Sequence, residues 1–112
     1  MGKRVLIVED DELVGDHLAE LLREQLACVP LVARASGEGL SLADGVDFGI
    51  LDIEVSDGVT FPLAAKLRER GIPFAFVSAR DPAKLPPEFA STPYLRKPVS
   101  APQLLAVARA HL

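Results

Sequence analysis

The chain has 112 residues, 49% of them hydrophobic and 25% charged, with a formal net charge of −4. This length suits one domain, and the composition is that of a folded chain with a core rather than a disordered one. The acidic balance argues against a non-specific nucleic-acid binder, which needs a basic face, and no apolar run approaches the ~20 residues needed to span a bilayer.

Apolar strand-like runs alternate with helical patterns along the chain, the signature of βαβ units and a parallel sheet. The basic opening Met1-Gly2-Lys3-Arg4 leads into Val5-Leu6-Ile7-Val8. That run meets the acidic Glu9-Asp10-Asp11-Glu12 too soon to be the apolar core of a signal peptide. Residues 4–9 read instead as a central strand covered on both faces. A helix is predicted from Glu12 to about Leu26, with Val14, Leu18, Leu21, Leu22 and Leu26 on one face and Asp11 and Glu12 favouring its dipole. Cys28 to Arg34 reads as a second strand, placed at a sheet edge because Pro30 lacks an amide donor. Cys28 is the only cysteine, so an internal disulfide and a cysteine zinc site are excluded.

Ser36 is the expected cap of a short second helix weakened by Gly37, Gly39 and Gly45. Val46 to Asp52 is the third strand. A third helix runs from about Val59 to Arg70, with Pro62 in its first turn and Gly71 as terminator. Pro73 to Val77 is the fourth strand and residues 93–96 the fifth. Between them a helix is due, but Pro86 and Pro87 break it, and a short, distorted or partly mobile element is expected. Ser100 is placed to cap the last helix, with Pro102 in its first turn and Leu104, Leu105, Val107 and Ala108 facing inward. His17 and His111 are expected at the surface. There is no repeat and no linker to a second domain, so residues 1–112 are read as one domain.

Four of these strands end in polar groups: Glu9-Asp10, Asp52, Ser78 and Lys97-Pro98. In a parallel sheet the carboxyl ends line one edge, and ligands bind in the crevice outside it. Carboxylates gathered there repel unless a hard cation joins them, and magnesium is often held by one or two carboxylates plus water and phosphate. A carboxylate can attack phosphorus and form an aspartyl-phosphate. Lys97 and magnesium then supply positive charge for the transferred group, and Ser78 a hydroxyl. Taken singly, Asp11 and Glu12 merely start a helix, a Lys-Pro is a surface turn and a serine at a strand end is a helix cap. The order of the whole set is what carries the chemistry.

That set resembles a response-regulator receiver domain over essentially the whole chain. Glu9-Asp10 is similar to the family's acidic pair, Asp52 to its phosphorylated aspartate, Ser78 with Ala79 to its switch hydroxyl and following small residue, Lys97-Pro98 to its lysine and proline, and Tyr94 to its aromatic switch. The resemblance implies a flavodoxin-like, doubly wound five-stranded parallel sheet of order 2-1-3-4-5 with a short or distorted fourth helix. It implies magnesium held by Asp10, Asp52 and the main-chain carbonyl of Glu54, with Glu9 acting through water. It also implies that phosphoryl comes from the phosphohistidine of a sensor histidine kinase or histidine phosphotransfer protein. Ser78 and Tyr94 then switch, and an unidentified downstream protein responds. The domain is thus expected to be a cytoplasmic signalling phosphoacceptor that catalyses its own phosphorylation and dephosphorylation, not an enzyme acting on other substrates, with no direct nucleic-acid or membrane binding.

The segment after Asp52 is shorter than the family's usual form, with Gly58 following at six residues and no proline. The stretch Phe76-Val77-Ser78-Ala79 partly matches a subgroup with a Phe-Ala-Thr-Gly-type motif and a loose fourth element. Glu54 and Arg80, each two residues past a site residue, are expected to flank the mouth and to modulate phosphoryl lifetime. Two rivals compete with the receiver. One is a Toprim-like, magnesium-dependent nucleic-acid cleaving module using Glu9 and the Asp52-Ile53-Glu54 pair. The other is a degenerate receiver that only binds.

Overall fold

The computed structural model describes residues 2–112; Met1, first residue of the basic opening, lies outside the described residues. The strands are β1 (Arg4–Val8), β2 (Val29–Ala33), β3 (Phe48–Asp52), β4 (Glu54–Val55), β5 (Gly58–Val59), β6 (Phe74–Ser78) and β7 (Tyr94–Arg96). The helices are α1 (Glu12–Leu26), α2 (Ser36–Leu42), α3 (Phe61–Glu69) and α4 (Ala101–His111). The main sheet has order β2-β1-β3-β6-β7 with every pair parallel. This is the expected flavodoxin-like order 2-1-3-4-5 once the two ribbon strands are set aside.

Period decides which residues go inside. β1 and β3 are buried on both faces, so their sequences are continuous apolar runs. One core lies between the sheet and α2–α3, built on Leu6, Val8, Leu51, Leu63, Leu67 and Phe76; the other lies under α1 and α4, built on Val5, Ile7, Leu18, Leu22, Ile50 and Leu104. α1 starts where Asp11 accepts hydrogen bonds from the Leu13 and Val14 amides, and it ends at Ala27 in the left-handed region. α3 carries Pro62 in its first turn and stops before Gly71, whose φ is +71°. Ser100 caps α4 through the Gln103 amide.

Three local findings depart from or refine the sequence reading. First, Ser36 does not cap α2. It is the first helical residue, Ala35 stands at the cap position with no side-chain bond, and among the described residues the buried Ser36 hydroxyl has no partner. The Ser36 and Gly37 amides donate instead to Asp57, at 2.8 and 3.1 Å. Local pattern favoured Ser36; a carboxylate twenty residues downstream reached the same donors with charge. Second, β4 and β5 form an unforeseen antiparallel ribbon, pairing Glu54 with Val59 and Val55 with Gly58. Third, the expected distorted element is two 3-10 turns, Pro82–Lys84 and Pro87–Phe89. Phe89 plugs this stretch into the core against Phe61, Phe74 and Phe76. The Arg68 guanidinium lies 4.8 Å from the Phe89 ring centroid and donates to the Glu88 carbonyl.

Candidate phosphoryl and cation site

The parallel register fixes the site. β1 and β3 are neighbours with Val8 opposite Leu51, so Glu9 and Asp52 leave the same edge side by side. Carboxylate oxygens of Glu9, Asp10 and Asp52 lie within 4.8 Å of one another. Glu9 is 2% exposed and Asp52 12%, while Asp10 is open to solvent. Lys97, just past β7, reaches back across the edge. Its Nζ donates to Glu9 Oε1 at 2.7 Å and Asp52 Oδ2 at 2.9 Å. Its own amide donates to the Ser78 carbonyl at 2.9 Å, which fixes where the side chain begins. The Lys97–Pro98 peptide is cis.

Burial pushes the Glu9 carboxyl up and the neighbouring Asp52 adds to this, against the pull of the Lys97 ammonium. Burial opposes the charged form of Lys97, but its hydrogen bonds to Glu9 and Asp52 win and hold it above its ordinary value. Two like charges 4 Å apart repel by about 4 kcal/mol near a protein surface. Three carboxylates against one ammonium therefore leave surplus negative charge, and this all-oxygen donor set fits a hard divalent cation.

A second group of residues is joined through Arg80. The Arg80 amide donates to Ser78 Oγ at 3.1 Å, the Tyr94 hydroxyl donates to the Arg80 carbonyl at 2.6 Å, and the Arg80 guanidinium pairs with Glu54. Ser78 is buried at the end of β6 and Tyr94 half-buried on β7. The structure thus gathers Glu9, Asp10, Asp52 and Lys97 directly, and Glu54, Ser78, Arg80 and Tyr94 as a chain beside them. The Ser78 carbonyl is the bridge between the two. The Glu54–Arg80 ion pair joins the two residues directly.

Thr60 was missed. Fully buried, it donates its hydroxyl to the Asp52 carbonyl at 2.6 Å, and its amide donates to the Ile53 carbonyl at 2.8 Å. A threonine two residues before a proline at a helix start reads as a cap, yet the hydroxyl turns back to the strand end. Beside Lys97 an apolar groove of about 540 Å³ runs between Leu13, Val14, His17 and Leu18 of α1 and Pro98–Val99. Leu13 is 81% exposed there.

No protein-family model matches the chain. It is 33% identical over 109 residues to an uncharacterized transcriptional regulatory protein, YbdJ, of Bacillus subtilis, covering 93% of this chain and 48% of the relative. It is 36% identical over 117 residues to the sensory transduction protein RegX3 of Mycolicibacterium smegmatis, covering 96% of this chain and 50% of that one. The non-phosphorylated receiver domain of HemR from Leptospira biflexa superposes with a TM-score of 0.80 at 29% identity, over 96% of this chain and 92% of that one. The chain belongs to the CheY-like response-regulator receiver domains. This receiver spans about half the length of the curated relatives it matches. The response regulator TrrA of Thermotoga maritima, solved with Mg2+ and BeF, shares the receiver fold at a TM-score of 0.85 and 22% identity, over 98% of this chain and 99% of that one. Family membership decides between the rival readings in favour of the receiver over the Toprim-like module. No helix among the receiver's described residues is long and apolar enough to cross a membrane.

Proposed function

We propose that this receiver is a phosphoacceptor in a two-component or phosphorelay system, acting in the cytoplasm, with Asp52 as the accepting group. The observation that carries the reading is Lys97 Nζ lying on both Glu9 and Asp52 at the carboxyl edge of the sheet. An Asp52 carboxylate oxygen attacks the phosphorus of a partner's phosphohistidine. A new O–P bond forms, the P–N bond breaks, and the imidazole leaves with the bonding pair. The partner is a sensor histidine kinase or histidine phosphotransfer protein, for which the apolar groove beside Lys97 is a natural approach.

Magnesium fits the carboxylate set: Asp10, Asp52 and the Glu54 main-chain carbonyl would hold it, with Glu9 through water. When bound it neutralises charge on the transferred phosphoryl and on the carboxylates around it. Thr60 keeps the Asp52 backbone from turning as its side chain changes charge. Lys97 loses a carboxylate partner when Asp52 becomes an acyl phosphate and is free to pair with a phosphoryl oxygen. Ser78 would exchange the Arg80 amide for that group. Because the Arg80 carbonyl is also what holds the Tyr94 hydroxyl, the exchange would loosen Tyr94, a population shift between two packings. The Glu54–Arg80 pair at the mouth is half-exposed and worth under about 1 kcal/mol to stability, but it stands where an attacking water must pass.

The test is incubation with acetyl phosphate and Mg2+, read by intact-protein mass spectrometry. A covalent phosphoryl adduct is expected for the wild type and none for Asp52→Asn. Absence of any adduct in the wild type refutes the assignment. Faster dephosphorylation of Glu54→Ala and Arg80→Ala is expected, and unchanged rates remove their modulating role.

A further inference from the structure

The ribbon that follows Asp52 is anchored at three places. At its root, Thr60 ties Asp52 and Ile53. Beneath it, Ile53 and Val55 are buried in the core. At its tip, the Ser56 hydroxyl donates to the Arg34 carbonyl at 3.2 Å, and Asp57 receives the Ser36 and Gly37 amides on its two carboxylate oxygens. Those two bonds hold the Asp57 carboxyl below the usual carboxylate range.

α2 needs that tip. It is seven residues long, carries Gly37 and Gly39, and has no cap of its own. Glycine costs roughly 1 kcal/mol per interior position relative to alanine, and a helix this short does not persist unaided. Without the Asp57 cap its first turn would fray. The ribbon has only two residue pairs between the site and Asp57, so constraint at Glu54 reaches Asp57 through very little chain.

We propose that Asp57 is a positioning residue that couples occupancy of the carboxylate site to the N-terminus of α2, carrying a signal to the β2–α2 side of the domain. The proposal rests on the reading of Asp52 and the Glu54 carbonyl as cation ligands. A ligand held by those groups restricts the ribbon, and a restricted ribbon loses less entropy when its tip caps the helix. Coupling is reciprocal. Occupancy strengthens the cap, and the cap strengthens cation binding by the same factor.

The experiment is amide hydrogen exchange by NMR on the whole chain, with and without Mg2+ and beryllofluoride, in wild type, Asp57→Asn and Asp57→Ala, beside a Mg2+ titration of each. In the wild type the ligands are expected to slow exchange at Ser36 and Gly37 by about five-fold, the low end of known couplings. Asp57→Ala loses this response while the Ile53 and Thr60 amides still respond, and its Mg2+ affinity falls by a similar factor. Asp57→Asn, which keeps an acceptor oxygen and disturbs folding least, retains part of both. The proposal is overturned if wild-type Ile53 and Thr60 respond and Ser36 and Gly37 do not, or if the variants respond like wild type. If no amide near the site responds, the cation reading itself fails and the coupling falls with it.

Discussion

Phe89→Ala tests what holds the stretch between β6 and β7. The backbone hydrogen bonds within the two 3-10 turns are all local, such as Lys84 to Asp81 and Phe89 to Pro86, and the Arg68 guanidinium that reaches the Glu88 carbonyl comes from α3, so none of them fastens the stretch to the sheet. Phe89 does. It is 1% exposed, with ring centroids of Phe76, Phe61 and Phe74 at 5.4, 5.6 and 6.1 Å. Truncating a buried phenylalanine costs about 3–5 kcal/mol. The stretch can detach by itself, which limits the loss to the lower end, so about 3 kcal/mol is expected. At roughly 4 °C per kcal/mol for a domain this size, Tm falls by about 12 °C. Urea unfolding followed by circular dichroism reads the midpoint and the slope; a shallower slope means that the stretch is already loose in the folded variant. Phe89→Leu, which keeps most of the volume, is expected to lose under about 1.5 kcal/mol. A loss below about 1 kcal/mol in Phe89→Ala would refute the plug as the anchor.

Thr60→Val keeps shape and removes the donor to the Asp52 carbonyl, so it should cost about 1 kcal/mol in urea unfolding; an unmoved midpoint means the bond contributes nothing. Gly39→Ala places a Cβ 2.9 Å from Val8 Cγ2 and 3.0 Å from Leu63 Cδ2. Overpacking of about 1–3 kcal/mol should outweigh the ~1 kcal/mol gain in helix propensity. Gly37→Ala, whose Cβ meets only Asp57 Oδ2 at 3.8 Å, should be stabilising, so equal signs in thermal melts would contradict the packing argument. Asp57 binds its proton less readily folded than unfolded, since the Ser36 and Gly37 amides favour the carboxylate. Its contribution is full above the ordinary aspartate value and is lost as pH falls through the lowered one. In chemical-denaturation titrations below pH ~5, Asp57→Asn should lose less stability on acidification than wild type, and parallel curves would count against the cap.

Periodicity and strand-end chemistry made most of the domain legible. β1 and β3 are continuous apolar runs because both faces are covered, and the polar groups after them had to converge once the sheet was parallel. Lys97 could be placed with the carboxylates for that reason alone. What escaped was held by contacts that leave no local pattern. Asp57 caps a helix twenty residues upstream, so Ser36 looked like the cap. Thr60 sits where a helix cap belongs but bonds backward to Asp52. β4 and β5 are two residues each, too short for alternation to register. Arg80 links Ser78 and Tyr94 through its amide and carbonyl, groups every residue owns, so only its guanidinium partner Glu54 could be anticipated. Pro86 and Pro87 announced the loss of a helix; nothing near them announced Arg68 or Phe89 as its replacement.

The two outer strands bear on how the molecule behaves in a crowd. On β2, the Val29 amide and the Ala33 carbonyl both face β1, so alternation turns Pro30 and Val32 outward. Proline leaves that margin short of a donor. On β7, Lys97 and Pro93 face β6, which leaves only Tyr94 and the exposed Arg96 on the outside. Neither border offers a run of free donors and acceptors on which a stranger's backbone could template itself. The sheet is thereby guarded against growth into aggregates, a protection built from one imino acid and one brief strand.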